Sequence, residues 1–104
     1  MIKPTEDLKD VLGILTEECA ELIQAASKID RFGLDGKHPL RKENNTEEFI
    51  QELGDVCAII AILVLKYGDK FPQENVSKAI LKKIAKVKKY YKHLEDFNIE
   101  ELIP

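Results

Sequence analysis

In the N-terminal third of the chain, apolar or small side chains return at Leu8, Leu12, Leu15, Cys19, Leu22, Ala26 and Ile29. This alternating spacing of four and three marks one stripe of an amphipathic helix. Pro4 and Thr5 precede it, and Glu6 and Asp7 open its first turn, where free backbone N–H groups favour negative charge. The helix is predicted to end near Asp30, before Gly33 and Gly36. Residues 31–45 carry no period, and so long a stretch inside a small domain is either functional or mobile. Asn45 or Thr46 can cap a second helix, with Glu47 and Glu48 in its first turn, running to about Tyr67. From Phe49 onward this helix is apolar on nearly every side, which predicts burial all round. A third helix is expected after Pro72, from about Gln73 to Leu94, and Asn98 can cap a last turn through Glu100 and Glu101. No segment alternates as a strand does. The pattern predicts an all-α fold, a small helical bundle of three main helices plus a short C-terminal turn.

Four carboxylates break the pattern. At about 100° per residue, Glu18 falls roughly 60° from the centre of the first stripe, and Glu21 lies about 60° further round the same side. On the second helix Glu52 and Asp55 share a stripe with Glu48, Ile59 and Lys66 inside an otherwise apolar surface. Both pairs are spaced i, i+3, so their side chains project from neighbouring turns of one face. Burying a carboxylate without a partner is costly, and two such pairs on packed helices also repel. A cation between them relieves both problems, and four carboxylate oxygens suit a hard ion such as Mg²⁺ or Mn²⁺. A ferritin-like di-iron site needs Glu-x-x-His, and neither His38 nor His93 stands three residues after a Glu. Cys19 and Cys57 point away from these acids and read as small core residues.

Composition narrows the class. The 104 residues suit one domain, 1–104, and 44% apolar content excludes a disordered chain. Two cysteines without a CxxC spacing do not make a disulfide scaffold and suit a reducing compartment. The N-terminal residues lack a signal-peptide apolar stretch, and the longest apolar run, Val56 to Leu65, is too short for a bilayer span. A cytoplasmic location without membrane contact is expected. The net charge of −3 conceals a division: residues 1–65 carry 13 acids against 7 bases, whereas residues 66–92 carry nine Lys against Asp69 and Glu74. The overall acidity makes nucleic acid an unexpected partner.

Thr16-Glu17-Glu18-Cys19-Ala20-Glu21-Leu22 followed by Glu52-Leu53-Gly54-Asp55-Val56 resembles the MazG-like, all-α nucleoside triphosphate pyrophosphohydrolases, whose signature is ExxE, a variable connection, then ExxD. Gln24-Ala25-Ala26-Ser27-Lys28 through Arg31-Phe32-Gly33 is similar to the short, single-domain branch of that family, and the resemblance covers about residues 8–95. It implies a helical bundle that completes its core as a homodimer or tetramer. It also implies Mg²⁺-dependent hydrolysis of a nucleoside triphosphate, such as a dNTP, to the monophosphate and pyrophosphate. The implied metal ligands are Glu18, Glu21, Glu52 and Asp55. Glu17 and Glu18 are the implied catalytic carboxylates, Glu17 either orienting or deprotonating the attacking water or lying in solvent.

A triphosphate needs cations as well. Seven lysines between Lys78 and Lys92 stand without an intervening acid. Lys83, Lys86 and Tyr90 or Tyr91 resemble the family's Lys-rich segment ending in Tyr, although relatives carry Asn and Arg there. Lys28 and Arg31 are further phosphate candidates, and Phe32, His38 and Asn45 are candidates for meeting a base. Two other readings remain open. One is a phosphoribosyl-ATP pyrophosphohydrolase using the same metal motif. The other is a non-enzymatic helical module that uses the lysine helix for interaction.

Overall fold

A computed structural model describes residues 1–94, 96 and 97. Its helices are α1 (Glu6–Phe32), α2 (Asn45–Lys66) and α3 (Gln73–Tyr90), and a single 3-10 turn follows at Lys92–Leu94. No described residue lies in a strand, so the all-α expectation holds. The expected turn at Asn98, Glu100 and Glu101 lies outside the described residues. Two compact units are present, the first Met1–Tyr67 and the second beginning at Gly68.

The first unit is an antiparallel hairpin of α1 and α2, fastened at both ends. At one end the Tyr67 hydroxyl donates to Asp7 Oδ2 at 2.7 Å, and Lys66 Nζ lies 3.6 Å from the same oxygen. The hydroxyls of Thr5 and Tyr67 hold the Asp7 carboxyl well below the usual carboxylate range, and the bond to Asp7 pushes Tyr67 up to about 12. At the other end, Asn45 ties the start of α2 to the end of α1. Its Nδ2 donates to Gly33 O at 3.0 Å and, more weakly, to Lys28 O at 3.4 Å.

The caps explain the boundaries. α1 runs two residues past Asp30 and stops where Gly33 takes φ 87°, a left-handed value that glycine adopts without strain. The N-cap of α2 is Asn44, not Asn45 or Thr46. Asn44 Oδ1 accepts from Glu47 N–H at 2.9 Å, and Glu47 Oε1 accepts from Asn44 N–H at 3.2 Å, a reciprocal capping box. Asn45 is thereby left inside the first turn, buried and free to serve the connection. α3 ends at Tyr90 rather than Leu94, where consecutive aromatics and a histidine replace stronger helix formers.

The connection, residues 33–44, is far from structureless. Asn45 N–H donates to Gly36 O at 2.7 Å, and Thr46 gives both its N–H and its hydroxyl to Leu34 O. A Cβ on Gly36 would stand 2.7 Å from Asn45 Nδ2 and from Phe32 O, so only glycine fits beneath this tie.

Burial corrects two expectations. On α1 the buried small residue is Ala25, and Ala26 is exposed. On α2 only Asn45 and Val56 are buried, so this helix is not enclosed all round by its own chain. Its half-buried face carries Glu48, Glu52, Asp55 and Ile59, whereas Ile50, Leu53, Ile60, Ile62 and Leu65 are exposed. Cys19 is half-buried, and Cys57 is exposed rather than in a core, because it lies on that outward face.

In the second unit α3 buries no residue fully. Lys78 pairs with Glu74 one turn earlier at 3.2 Å, and Lys88 bonds Phe97 O while lying over the Phe97 ring.

Asn45→Ala removes the side-chain donor to Gly33 O and Lys28 O and is expected to lower unfolding free energy by about 1–3 kcal/mol in urea titrations. Asn44→Ala removes the cap and should cost about 1 kcal/mol. The bond between Tyr67 and Asp7 also sets a pH window. Asp7's share is complete above its ordinary 3.8 and lost as pH falls toward its depressed value. Tyr67's share is complete below 10.0 and lost as pH rises through about 12. The melting-temperature gap between wild type and Tyr67→Phe is therefore expected to be flat across neutral pH and to narrow at both extremes.

Candidate active site

The seam of the hairpin carries acids where a core would carry leucines. Glu18 follows Leu15 and precedes Leu22 along the α1 stripe, and all three are half-buried. From α2, Glu52 and Asp55 enter the same seam one turn apart. One carboxylate oxygen from each of Glu18, Glu52 and Asp55 lies within 4.8 Å of the others.

Two oxygens of this group are stranded. Glu18 Oε2 and Glu52 Oε2 are shielded from solvent and have no hydrogen-bond partner. Loss of water is the main cause that pushes both carboxyls above the usual range. The neighbouring charges of Glu21 and Asp55 push Glu18 further, and Glu21, Asp55 and Glu18 act likewise on Glu52. Glu21 thus borders the group electrostatically, although it is exposed and outside the close triple. Asp55 is steadied by Gln51, whose Nε2 donates to Oδ1 at 3.0 Å.

This donor set fits a hard divalent ion. Oxygens opposite one another across such an ion lie about 4–5 Å apart, so the triple spans a suitable distance. Two oxygens are dry and unpaired, which a cation would satisfy. Carboxylate oxygens alone, without sulfur or imidazole, favour ions of the magnesium and calcium type over softer metals.

One turn before Glu52, Glu48 forms a second polar centre of opposite balance. Its Oε1 accepts from Lys28 Nζ at 2.9 Å and from Arg41 Nη1 at 2.8 Å. Lys28 first, then Arg41, holds the Glu48 carboxyl below the usual range. A cavity of about 510 Å³ joins this centre to the acids, with Glu21, Lys28, Arg41, Glu48 and Glu52 in its wall.

Of the residues expected from sequence, Glu18, Glu52 and Asp55 come together, with Glu21 beside them and Lys28 one cavity wall away. Glu17 is exposed and outside the triple. Arg31 lies against Phe32, its Cζ 5.2 Å from the ring centroid. Lys83, Lys86 and Tyr90 belong to α3 in the second unit, where Lys89 Nζ lies 5.5 Å from the Tyr90 ring centroid. Sequence reasoning missed Arg41 and Gln51. Gln51 had a signal in its i, i+4 spacing to Asp55, whereas Arg41 lies in a stretch without period.

The family model of the MazG nucleotide pyrophosphohydrolase domain matches residues 6–92. The chain belongs to the MazG nucleotide pyrophosphohydrolase family. The match spans α1, α2 and α3, and it gives this MazG chain its general class, a pyrophosphohydrolase acting on nucleotides. Over 77 residues it is 42% identical to YvdC, an uncharacterized protein of Bacillus subtilis (strain 168), covering 72% of this chain and 70% of that protein. No solved structure matches it. Among the described residues no helix is long and apolar enough to cross a membrane.

Glu52→Gln removes one of the crowded charges and is expected to raise the melting temperature of the metal-free protein. The same variant should lose the stabilisation that a divalent ion gives wild type. For an ion at about 100 times its Kd that stabilisation is about 2.7 kcal/mol, readable by differential scanning calorimetry with and without EDTA.

Proposed function

We propose that this protein hydrolyses nucleoside triphosphates, dNTPs foremost, to the monophosphate and pyrophosphate with Mg²⁺ as its metal and Mn²⁺ as a substitute. The observation that carries the reading is the convergence of Glu18, Glu52 and Asp55, two of them with dry, unpaired oxygens, in a chain of the MazG family. Glu18, Glu52 and Asp55 would hold the metal, with Glu21 completing the set. When bound, the ion supplies charge neutralisation for the polyphosphate and polarisation of its phosphoryl oxygens.

The chain's own residues account for the rest. Four carboxylates without cations would repel a substrate bearing several negative charges. Lys28, already in the cavity wall beside Glu21 and Glu52, offers an ammonium to the phosphates. Water attacks the α-phosphorus, its oxygen forming the new bond as the bond to the β-phosphate's bridging oxygen breaks. A carboxylate takes the proton, and Glu17 and Glu18 are the two assigned to that role. The roles of Lys83, Lys86 and Tyr90 in gripping substrate are supported by the family resemblance alone, and that of Arg31 by its place after Glu21 along α1.

The outward face of α2 supports a second part of the reading. Ile50, Leu53 and Ile60 recur at helical spacing and are 61%, 43% and 43% exposed. A second copy of the chain is the partner we assign to this face, as a homodimer or a tetramer built from it. Small domains gain buried area in this way.

Pyrophosphate release from a panel of standard and modified dNTPs with Mg²⁺ tests the activity, and a folded protein inert toward every nucleotide would sink it. Asp55→Ala and Glu52→Ala are expected to lower kcat by about two orders of magnitude or more while the helical circular dichroism persists. In sedimentation equilibrium the wild type is expected at a multiple of the 11.9 kDa chain mass, and Ile60→Asp should shift it toward that of one chain.

A further inference from the structure

Beneath the connection lies another cavity, of about 580 Å³, within the range of small-molecule sites, about 300–1,000 Å³. Phe32 from the end of α1 forms part of its wall, with His38 and Arg41 from the connection and Lys28 and Glu48 from the helices. Lys28, Arg41 and Glu48 also line the cavity that reaches Glu21 and Glu52. The two spaces therefore meet at the point where two cations converge on one carboxylate oxygen.

The chemistry changes in order along this path. At one end stand the acids of the seam. In the middle are an ammonium and a guanidinium within hydrogen-bond distance of Glu48 Oε1. At the far end is an aromatic ring, 65% exposed, in a wall that also carries an imidazole. Glu48 and Glu52 are one turn apart, about 6 Å along α2, the reach of a short polyphosphate. A heterocyclic base, a chain of phosphates and a bound cation follow one another in the same order. Arg41 suits the middle position because a planar guanidinium can grip two phosphate oxygens at once. An aromatic face such as that of Phe32 offers stacking to any base.

We propose that the cavity under residues 33–44 is the nucleoside subsite, with Phe32 as its stacking surface. Arg41 and Lys28 grip the phosphates between it and the acidic seam. This rests on the reaction class assigned above, and its test separates the two. Arg41 enters from the connection, so the segment that closes the hairpin also reads the substrate.

The chain contains no tryptophan, so Phe32→Trp installs a single indole in the cavity wall. This variant is titrated, in Ca²⁺, with the four dNTPs, the four NTPs and inorganic tripolyphosphate. A saturable change in indole emission with at least one nucleotide, absent with tripolyphosphate, is expected. No nucleotide-specific change overturns the subsite. In steady-state assays Arg41→Ala and Phe32→Ala are each expected to raise KM about tenfold with kcat within about threefold of wild type. Turnover that is lost in Asp55→Ala yet indifferent to Arg41→Ala and Phe32→Ala would leave the reaction standing and overturn the subsite. An indole that responds to nucleotide in a protein with no turnover would support the subsite and reject the reaction.

Discussion

Everything in the first unit answers to one electrostatic constraint, that acids from two helices share a half-buried seam. Glu18 from α1 faces Glu52 and Asp55 from α2, and the unpaired oxygens of the two glutamates oppose folding. The hairpin holds this arrangement by being fastened elsewhere. Tyr67 and Asp7 close one end, Asn45 and the connection close the other, and the packed residues Leu8, Ala25 and Val56 are few. A seam filled with leucine would be more stable and would bind nothing. Such strain is the ordinary cost of a site built for a ligand rather than for packing.

The same constraint inverts α2. A surface helix normally turns its oils inward and its charges to water. Here the charges face α1, and isoleucines and leucines lie on the outside. The helix is apolar on most sides, yet its charged face meets α1 while Ile50, Leu53 and Ile60 line the exposed face.

The acids were legible in the sequence because helical geometry is regular: i, i+3 spacing and a 100° step place side chains on a face without tertiary information. Glu18, Glu52 and Asp55 were found that way, and the start of α1 and extent of α2 were read from charge and caps to within a residue or two. What periodicity could not supply was contact between segments. Asn45 or Thr46 reads as the cap of α2 from sequence, yet the role falls to Asn44 because Glu47 reaches back to it while Asn45 is held by Gly33. Arg41 was invisible for the same reason. Its meeting with Lys28 at Glu48 depends on how residues 33–44 fold back, which no local pattern encodes. The burial of α2 was misjudged because composition reports how much of a helix is apolar and not which surface covers it.

The tie between Asn45 N–H and Gly36 O has a further consequence. The chain leaves α1, is pinned at Leu34 and Gly36 onto the first turn of α2, and only then makes its excursion through His38 and Arg41 before returning to Asn44. Residues 37–43 thus form a side loop whose base is already closed. Lengthening such a loop costs little, because closure entropy grows only with the logarithm of length. The segment that carries Arg41 can be lengthened, shortened or rewritten without disturbing the register of α1 against α2, and hence without moving Glu18 relative to Glu52 and Asp55. The architecture separates a seam fixed by packed helices from a loop that tolerates exchange.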